Sequence, residues 1–542
     1  MNDYQKPDPL KKLNIWLPLL LSFILVIGML LGFKLNTGDS AANNALNAHS
    51  NPGTIEELIR LIESKYVDET DKDKLIETAI THVLKELDPH SSYIPASRLQ
   101  SVNEELKGKF EGVGIQFTLL NDTIFVVTPI PGGPADQLGV LAGDKIIQIE
   151  DSTVAGIGLT TDDVIDRLKG EKGSKVKIGV QRGKNKKIID YVITRDVIPL
   201  YSVDAAYMIN EETGYIKVNR FSGTTYQEYM KALEGMINDG LQNVIIDLRG
   251  NPGGYLSEVA KMLDQMFEER RLLVYTEGRT SSRKDYKSTG RQLFPINKIT
   301  ILIDEGSASA SEILAGAVQD HDRGMIIGRR SFGKGLVQEQ YNLSDGSALR
   351  LTVARYYTPS GRSIQKPYDD MDAYGEEAYN RFKSGELVNQ DSINITDTTK
   401  YYTTVKNRVV FGGGGIMPDV FIPIDTTLFA NIFYAKALQY VPRFVYSEYE
   451  GYKQQLKKYK TVQVFNNQFN VTDAMMTDFI NFVKSEESLS KVDSAELAKA
   501  KEKLRQRLKA YFARQVFQDN GYFYIMNQGD PMLKAALESV NE

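Results

Sequence analysis

One run of the chain stands apart from everything after it. Residues Leu13 to Phe33 (LNIWLPLLLSFILVIGMLLGF) carry no charge. At about 1.5 Å per residue such a run spans a bilayer core of about 30 Å. Lys11 and Lys12 precede it and Trp16 sits near the same edge, so the excess positive charge stays inside and everything after Lys34 lies outside. The run is longer than a signal-peptide core of about 7–15 residues, although Ala45-Leu46-Asn47-Ala48 leaves cleavage open. The expectation is one uncleaved transmembrane helix within residues 1–34, followed by a polar linker over 35–53. From Thr54 the apolar positions recur at helical spacing. IEELIRLIESKYV and DKLIETAITHVLKELD show it, and Pro89 stops the second. Residues 54–107 therefore read as an N-terminal helical region.

Over 108–197 the texture changes to short strands and glycine turns. GVGIQFTLL and TIFVVTPI flank an Asn121-Asp122 turn. TTDDVIDRLKG reads as a helix, and KVKIGVQRG with KKIIDYVITR as a closing hairpin. About five short strands and two helices fit a small, partly open β-barrel. The phrase GGPADQLGVLAGDKIIQIE resembles the central segment of a PDZ domain.

From Tyr215 onward strands alternate with helices: GYIKVNRFS, TYQEYMKALEGMIND, NVIIDL, YLSEVAKMLDQMF, ITILIDEGSASASEILAGAVQDH, GMIIGRR. LVQEQYNL and SALRLTVARYYT read as a hairpin around Ser344-Asp345-Gly346. This is a mixed α/β core over 198–425. Residues 366–410, rich in tyrosine and polar groups, read as an insertion in it, and 426–542 as a C-terminal helical region. The fold class is thus α/β multidomain.

Composition narrows the chemistry. Over 542 residues, 42% hydrophobic and 25% charged, a folded body is expected, and a net charge of −5 with no basic half gives no reason to expect nucleic acid. No cysteine is present, which excludes disulfides, thiolate metal sites, a cysteine nucleophile and a lipid-modified cysteine. No metal or cofactor is called for. Only His49, His82, His90 and His321 are available as imidazole bases, and no G-x-S-x-G elbow occurs. His321, in the polar run QDHDRG, reads as a solvated cation at a helix end.

A strand (ITILI) running into DEGSASASEILAG places Ser309 at a helix start, with Glu312 at capping-box spacing. Helix-start N–H groups there can stabilise an oxyanion. On the same grounds Ser307 and Ser311 compete with Ser309, which by itself reads as an ordinary capping serine. Lys334, in GRRSFGKGLVQ between Phe332, Gly333 and Gly335, can serve as base if burial depresses its pKa. The same stretch approaches a phosphate-binding G-x-x-x-x-G-K-[ST] loop, but Gly335 offers no hydroxyl and no helix pattern follows.

GSASASEILAG, FGKGLVQ, TPSGRSIQ, DLRGNPGG, LDPHSSY and GIMPDV, in family order over about residues 52–425, resemble the C-terminal processing (tail-specific) proteases. That resemblance implies Ser309 as nucleophile, Lys334 as general base and Gln338 as the group orienting the lysine. It implies an oxyanion hole from a glycine amide of Gly253-Gly254, with Gly254 chosen, and the amide of Ala310. Asp247 and Arg249 are read as groups that fix the glycine loop. Gly112, Val113, Gly114 and Ile115 correspond to the PDZ carboxylate-binding loop. Arg167 and Lys169 could either meet a substrate carboxylate or form a solvated helix face. The implied activity is serine endopeptidase cleavage near the C-termini of extracytoplasmic proteins, on the periplasmic side of the inner membrane in a Gram-negative cell. The implied partners are peptide tails, the membrane, a second copy in a homodimer and an unidentified activator. The insertion and the long C-terminal region depart from the simplest family pattern, and neither touches the dyad in sequence. A non-catalytic PDZ scaffold is the rival reading.

Overall fold

The unbroken apolar stretches VII (244–246) and ILI (301–303) call for strands covered on both faces. The computed structural model describes residues 53–183, 187–395, 397–487 and 493–541. The expected membrane helix and nearly all of the linker lie outside these. Among the described residues no helix is long and apolar enough to cross a membrane.

The chain divides into two compact units at Val83/Leu84. In the first lie the helix Gly53–Lys65 and most of Lys72–Lys85, both with the predicted apolar spacing. Ile55, Leu58 and Leu61 of the former are more than half exposed.

In the second unit, a six-stranded sheet runs in the order Val203–Met208, Thr213–Val218, Asn243–Asp247, Lys298–Ile303, Gly324–Gly328, Val420–Phe421. Its first pair is antiparallel and the rest are parallel. The helices Thr225–Asn238, Leu256–Asp264 and Ala310–Asp320 share one apolar core with the sheet. The last is buried along its whole length, which its small residues allow. Met532, Leu533 and Ala536 of the helix Pro531–Asn541 pack with Tyr215, Ile245, Leu302 and Ile327, the other set of sheet side chains. Part of the C-terminal region thus completes the α/β body, which the sequence reading missed.

A second sheet carries the predicted hairpin, Leu336–Asn342 against Ala348–Tyr357. The strand Ser92–Ile94 pairs with the other edge of Ala348–Tyr357. Leu272–Glu277 and Lys284–Lys287 extend the sheet.

The PDZ segment forms a six-stranded antiparallel sheet, in which Ile115–Leu119 and Ile124–Pro129 meet around Asn121 and Asp122, both at positive φ. The helices Pro134–Gln137 and Thr161–Leu168 complete it, the second opened by a full Thr160/Asp163 capping box. The insertion is ordered into the helices Met371–Gly375 and Glu377–Lys383 and a hairpin, Lys400–Tyr402 with Val409–Phe411. The remaining C-terminal helices, among them Ile432–Leu456, Asp473–Glu486 and Ser494–Met526, bury their own aromatic core around Phe465, Phe469, Phe479 and Phe512.

Candidate active site

Loops leaving the carboxyl ends of the parallel strands converge, as they do at ligand sites of open α/β sheets. After Lys298–Ile303 the chain turns through three serines. Ser307 Oγ donates to the Leu248 carbonyl (2.8 Å) and accepts the Asp304 N–H (2.9 Å). Ser311 Oγ donates to the Asn251 carbonyl (2.9 Å). Both are buried and committed to the backbone. Ser309 differs. It sits at φ 54°, ψ −113°, a conformation costing a non-glycine residue about 1–3 kcal/mol. Its N–H donates to Glu312 Oε2 (2.8 Å), while the Glu312 N–H goes to the Ser309 carbonyl (2.9 Å). Ser309 itself lines a cleft of about 570 Å³ with Lys334, Gln338, Arg350, Gly253 and Gly254. The structure therefore separates three serines that sequence left open.

Lys334 follows the strand Gly324–Gly328. Burial pushes its pKa down and the nearby charge of Arg350 adds to the effect, with Glu312 and Asp88 opposing. Lys334 and Ser309 are held by the same groups. The buried Glu312 carboxylate accepts the N–H of Ser309, the N–H of Lys334 (2.8 Å), the N–H of Gly333 (2.7 Å) and the hydroxyl of Ser331 (2.6 Å). The Tyr356 hydroxyl reaches the Ser309 carbonyl (3.0 Å) and also the Lys334 carbonyl. Glu312 was legible as a helix cap by its spacing. Its reach to a loop twenty residues further on, and the part played by Tyr356, had no sequence signal.

The glycine loop is built on buried charge. Asp247 accepts from Tyr215 Oη (2.7 Å), from Lys217 Nζ (3.3 Å) and from the guanidinium of Arg249. Burial opposes its ionisation, but Arg249 and Lys217 outweigh this and hold the carboxyl far below its ordinary value. Arg249 also reaches Asp530 (2.6 Å), so these groups tie the loop to the end of the helical region. Asn251 fixes the next turn, donating to the Val218 carbonyl (3.0 Å) and accepting the Gly253 N–H (2.8 Å). The Gly253 amide is therefore spent. The Gly254 N–H has no partner among the described residues, and neither glycine tolerates a side chain. A Cβ on Gly253 would lie 2.8 Å from Ser309 Cβ, and one on Gly254 would lie 2.1 Å from the Phe221 carbonyl. The Ala310 N–H, at the first helical position, has no intrahelical acceptor. Two unspent amide donors thus lie on the glycine loop of the cleft and at the helix start beside Ser309.

Gln338 lines the same cleft, its Nε2 donating to Thr352 Oγ1 (3.2 Å). Among the described residues no hydrogen bond joins Lys334 Nζ to Ser309 or Gln338, an openness common before substrate binds. His321 corrects the solvated-cation reading. It is buried, with Nδ1 on Thr404 Oγ1 (2.8 Å) and Nε2 on the Leu272 carbonyl (2.7 Å), and burial lowers its pKa. The insertion is also nearer the site than its sequence position implies. Arg381 donates to the carbonyls of Arg330, Ser331 and Phe332, and the Lys366 N–H to that of Gly333 (3.0 Å). Those four residues precede Lys334.

In the PDZ segment Val113, Gly114 and Ile115 border a groove of about 240 Å³ with Phe117, Ile165 and Leu168. Gly112 lies on the adjoining strand Lys109–Gly112. Lys169 does not stand free there, since it pairs with Glu104 of the helix Ala96–Lys107 (2.7 Å).

A serine on a strained helix-start turn thus shares one cleft with a half-buried lysine and a glycine loop, and with the PDZ barrel the class of protein is a serine-type peptidase. The description "Peptidase family S41" matches residues 212–372, that of a PDZ domain 125–182, and a family of unknown function 433–519. The carboxy-terminal-processing protease of Bartonella bacilliformis is 38% identical over 330 residues, 60% of this chain and 74% of that protein. The carboxy-terminal processing protease CtpB of Bacillus subtilis is 36% identical over 317 residues, 58% of this chain and 65% of that one. Among solved structures, the PDZ domain of a carboxy-terminal protease from Vibrio cholerae in complex with peptide is 35% identical, over 17% of this chain and 99% of that chain, with a TM-score of 0.16. This chain belongs to the carboxy-terminal-processing protease family.

Proposed function

We propose that the protein cuts extracytoplasmic proteins near unstructured C-termini through a Ser309–Lys334 dyad. Ser309 Oγ attacks the scissile carbonyl carbon as its proton passes to the neutral Lys334 amine. The oxyanion rests on the Gly254 and Ala310 amides. The C–N bond then breaks, the leaving amine takes the proton from Lys334, and water hydrolyses the acyl-enzyme by the same route. Gln338 orients the lysine. The observation that carries this reading is that Ser309 alone of the three serines is strained and lines the cleft that also holds a half-buried lysine.

A fluorophosphonate serine label tests it. Wild-type protein takes up the label stoichiometrically and Ser309→Ala takes up none, while its melting curve stays close to that of the wild type. Full labelling of Ser309→Ala would overturn the assignment.

The PDZ groove supports recognition of a substrate tail by strand addition, the terminal carboxylate meeting the Gly112–Ile115 loop. The expected result is that amidating the C-terminus of a peptide substrate reduces cleavage several-fold. Equal cleavage of free and amidated peptides would remove the PDZ groove from substrate choice. Replacing Gly114 is a poor probe, because its φ is +77° and a Cβ would press on Ile198 Cδ1 at 2.9 Å. Membrane anchoring through residues 1–34 would put the catalytic body outside the cytoplasm. The exposed Ile55, Leu58 and Leu61 support a dimer built partly from the first helices.

A further inference from the structure

The LDPHSSY segment lies far in sequence from every group assigned above, yet its loop ends beside them. Ser92–Ile94 pairs with one edge of the strand Ala348–Tyr357, and Leu336–Asn342 with the other. Thr352 lies between the two and is the cross-strand partner of Gln338. Its backbone N–H donates to Ser91 Oγ (3.1 Å) and its hydroxyl to Asp88 Oδ1 (3.1 Å). Asp88 also accepts the N–H of His90 (2.8 Å), the N–H of Ser91 (2.8 Å) and the Ser91 hydroxyl (2.6 Å). A single carboxylate therefore gathers the turn and the central strand.

The direction of these bonds has a chemical meaning. An ionised carboxylate only accepts, so Asp88 takes the one proton of the Thr352 hydroxyl. Thr352 Oγ1 can then only accept from Gln338, which must present its NH₂ group, as it does at 3.2 Å. That fixes the amide flip and leaves Oε1 as the Gln338 atom available to the lysine. We propose that Asp88, acting through Thr352, is a positioning residue that sets the orientation of Gln338 and so aims an acceptor at the Lys334 amine. The inference rests on the dyad reading.

Supporting electrostatics agree with the geometry. Burial opposes charge on Asp88, and its hydrogen bonds from Ser91, His90 and Thr352 outweigh it, keeping the carboxyl below its ordinary pKa. The groups facing Lys334 are Arg350 from the central strand, Glu312 from the nucleophile helix, and Asp88 and His90 from this loop. His90 is neutral near pH 7, since burial and the charge of Lys334 lower its pKa to about 4. It hydrogen-bonds Tyr374 Oη at 2.7 Å. Asp88 raises the lysine pKa and Arg350 lowers it, so removing the Asp88 charge lowers it further.

The experiment measures kcat, KM and the pH dependence of kcat on a peptide substrate for Asp88→Asn, Thr352→Val and Thr352→Ser, with Lys334→Ala and Gln338→Ala alongside. Asp88→Asn is expected to lose about 10- to 100-fold in kcat with little change in KM. The rising limb of its pH profile should move to lower pH. Thr352→Val should lose a similar factor, and Thr352→Ser, which keeps the hydroxyl, should recover most of it. A kcat within twofold of wild type in Asp88→Asn, or a fall with no movement of the limb, overturns the inference, the second result marking a merely structural role. If Thr352→Val fails to fold, the Asp88→Asn profile and the Thr352→Ser rate decide. Activity in Lys334→Ala would instead overturn the dyad reading, which separates the two failures.

Discussion

Lys334→Ala loses proteolysis by about a thousandfold or more, the usual contribution of a general base together with the nucleophile it activates. Lys334→Arg does not restore it, because a guanidinium stays protonated at any working pH and cannot take the serine proton. In the wild type the rate rises with pH through the lysine pKa. Burial and Arg350 have lowered that pKa from its ordinary value of 10.5, so the rise begins below the range of a free lysine. The Arg350→Gln variant supplies an internal control. Loss of its charge lets the lysine pKa climb, and the rising limb moves to higher pH, opposite to the shift expected for Asp88→Asn. Measured pH–rate profiles of wild type and Arg350→Gln check the sign. An active Lys334→Arg enzyme would remove lysine from the mechanism.

Replacing Glu312 has the second large effect, although its side chain is not assigned to touch substrate. Glu312→Ala strands four donors, the buried ones of Ser331 and Gly333 and the half-buried ones of Ser309 and Lys334. Unpaired buried donors cost about 1–3 kcal/mol each before relaxation, so a loss of about 3 kcal/mol or more is expected. Glu312→Gln does not restore activity, since one oxygen becomes an NH₂ group facing two donors. Both variants should lose fluorophosphonate labelling with Ser309 and Lys334 still present, because the two loops are no longer held in register. The acid itself adds a pH signature. Desolvation raises its pKa from 4.5 to about 7, against hydrogen bonds from Ser331, Lys334, Gly333 and Ser309. The folded state thus keeps the proton longer than the unfolded one. Its contribution to stability is complete below about pH 4.5 and is lost as pH rises through about 7. The ionised form is the one that accepts all four bonds. Across this window activity climbs while stability declines, and paired measurements of label uptake and melting temperature against pH check both slopes.

What sequence could carry follows from what each signal depends on. The PDZ strands and the hairpin around Ser344-Asp345-Gly346 were legible because local alternation and turn chemistry determine them. The buried strands NVIID and KITILI were legible from the short apolar stretches VII and ILI within them. The candidate site was read from ordered motifs, and the structure brings Ser309, Lys334, Gln338 and Gly254 to one cleft. Spacing alone could not choose among Ser307, Ser309 and Ser311, because the choice depends on which hydroxyls are consumed by Leu248 and Asn251 across the sheet. His321 was misread for a similar reason. Its polar neighbours suggested solvent, whereas Thr404 and Leu272 close over it from distant segments. The insertion had no clean period because its helices are short and its charged residues are spent inward, Arg381 on the Ser331 carbonyl and Glu386 on Arg330.

The bond from Thr352 to Asp88 joins residues 264 apart in the chain, and the one from Tyr356 to the Ser309 carbonyl joins residues 47 apart. Contacts of such long separation form late, after the entropy of closing the intervening loops has been overcome. A chain that has folded its PDZ barrel, whose pairings are local, still lacks the arrangement that would arm the serine. With Ser309 and Lys334 as the proposed dyad, cutting power is expected to arrive only with the completed fold.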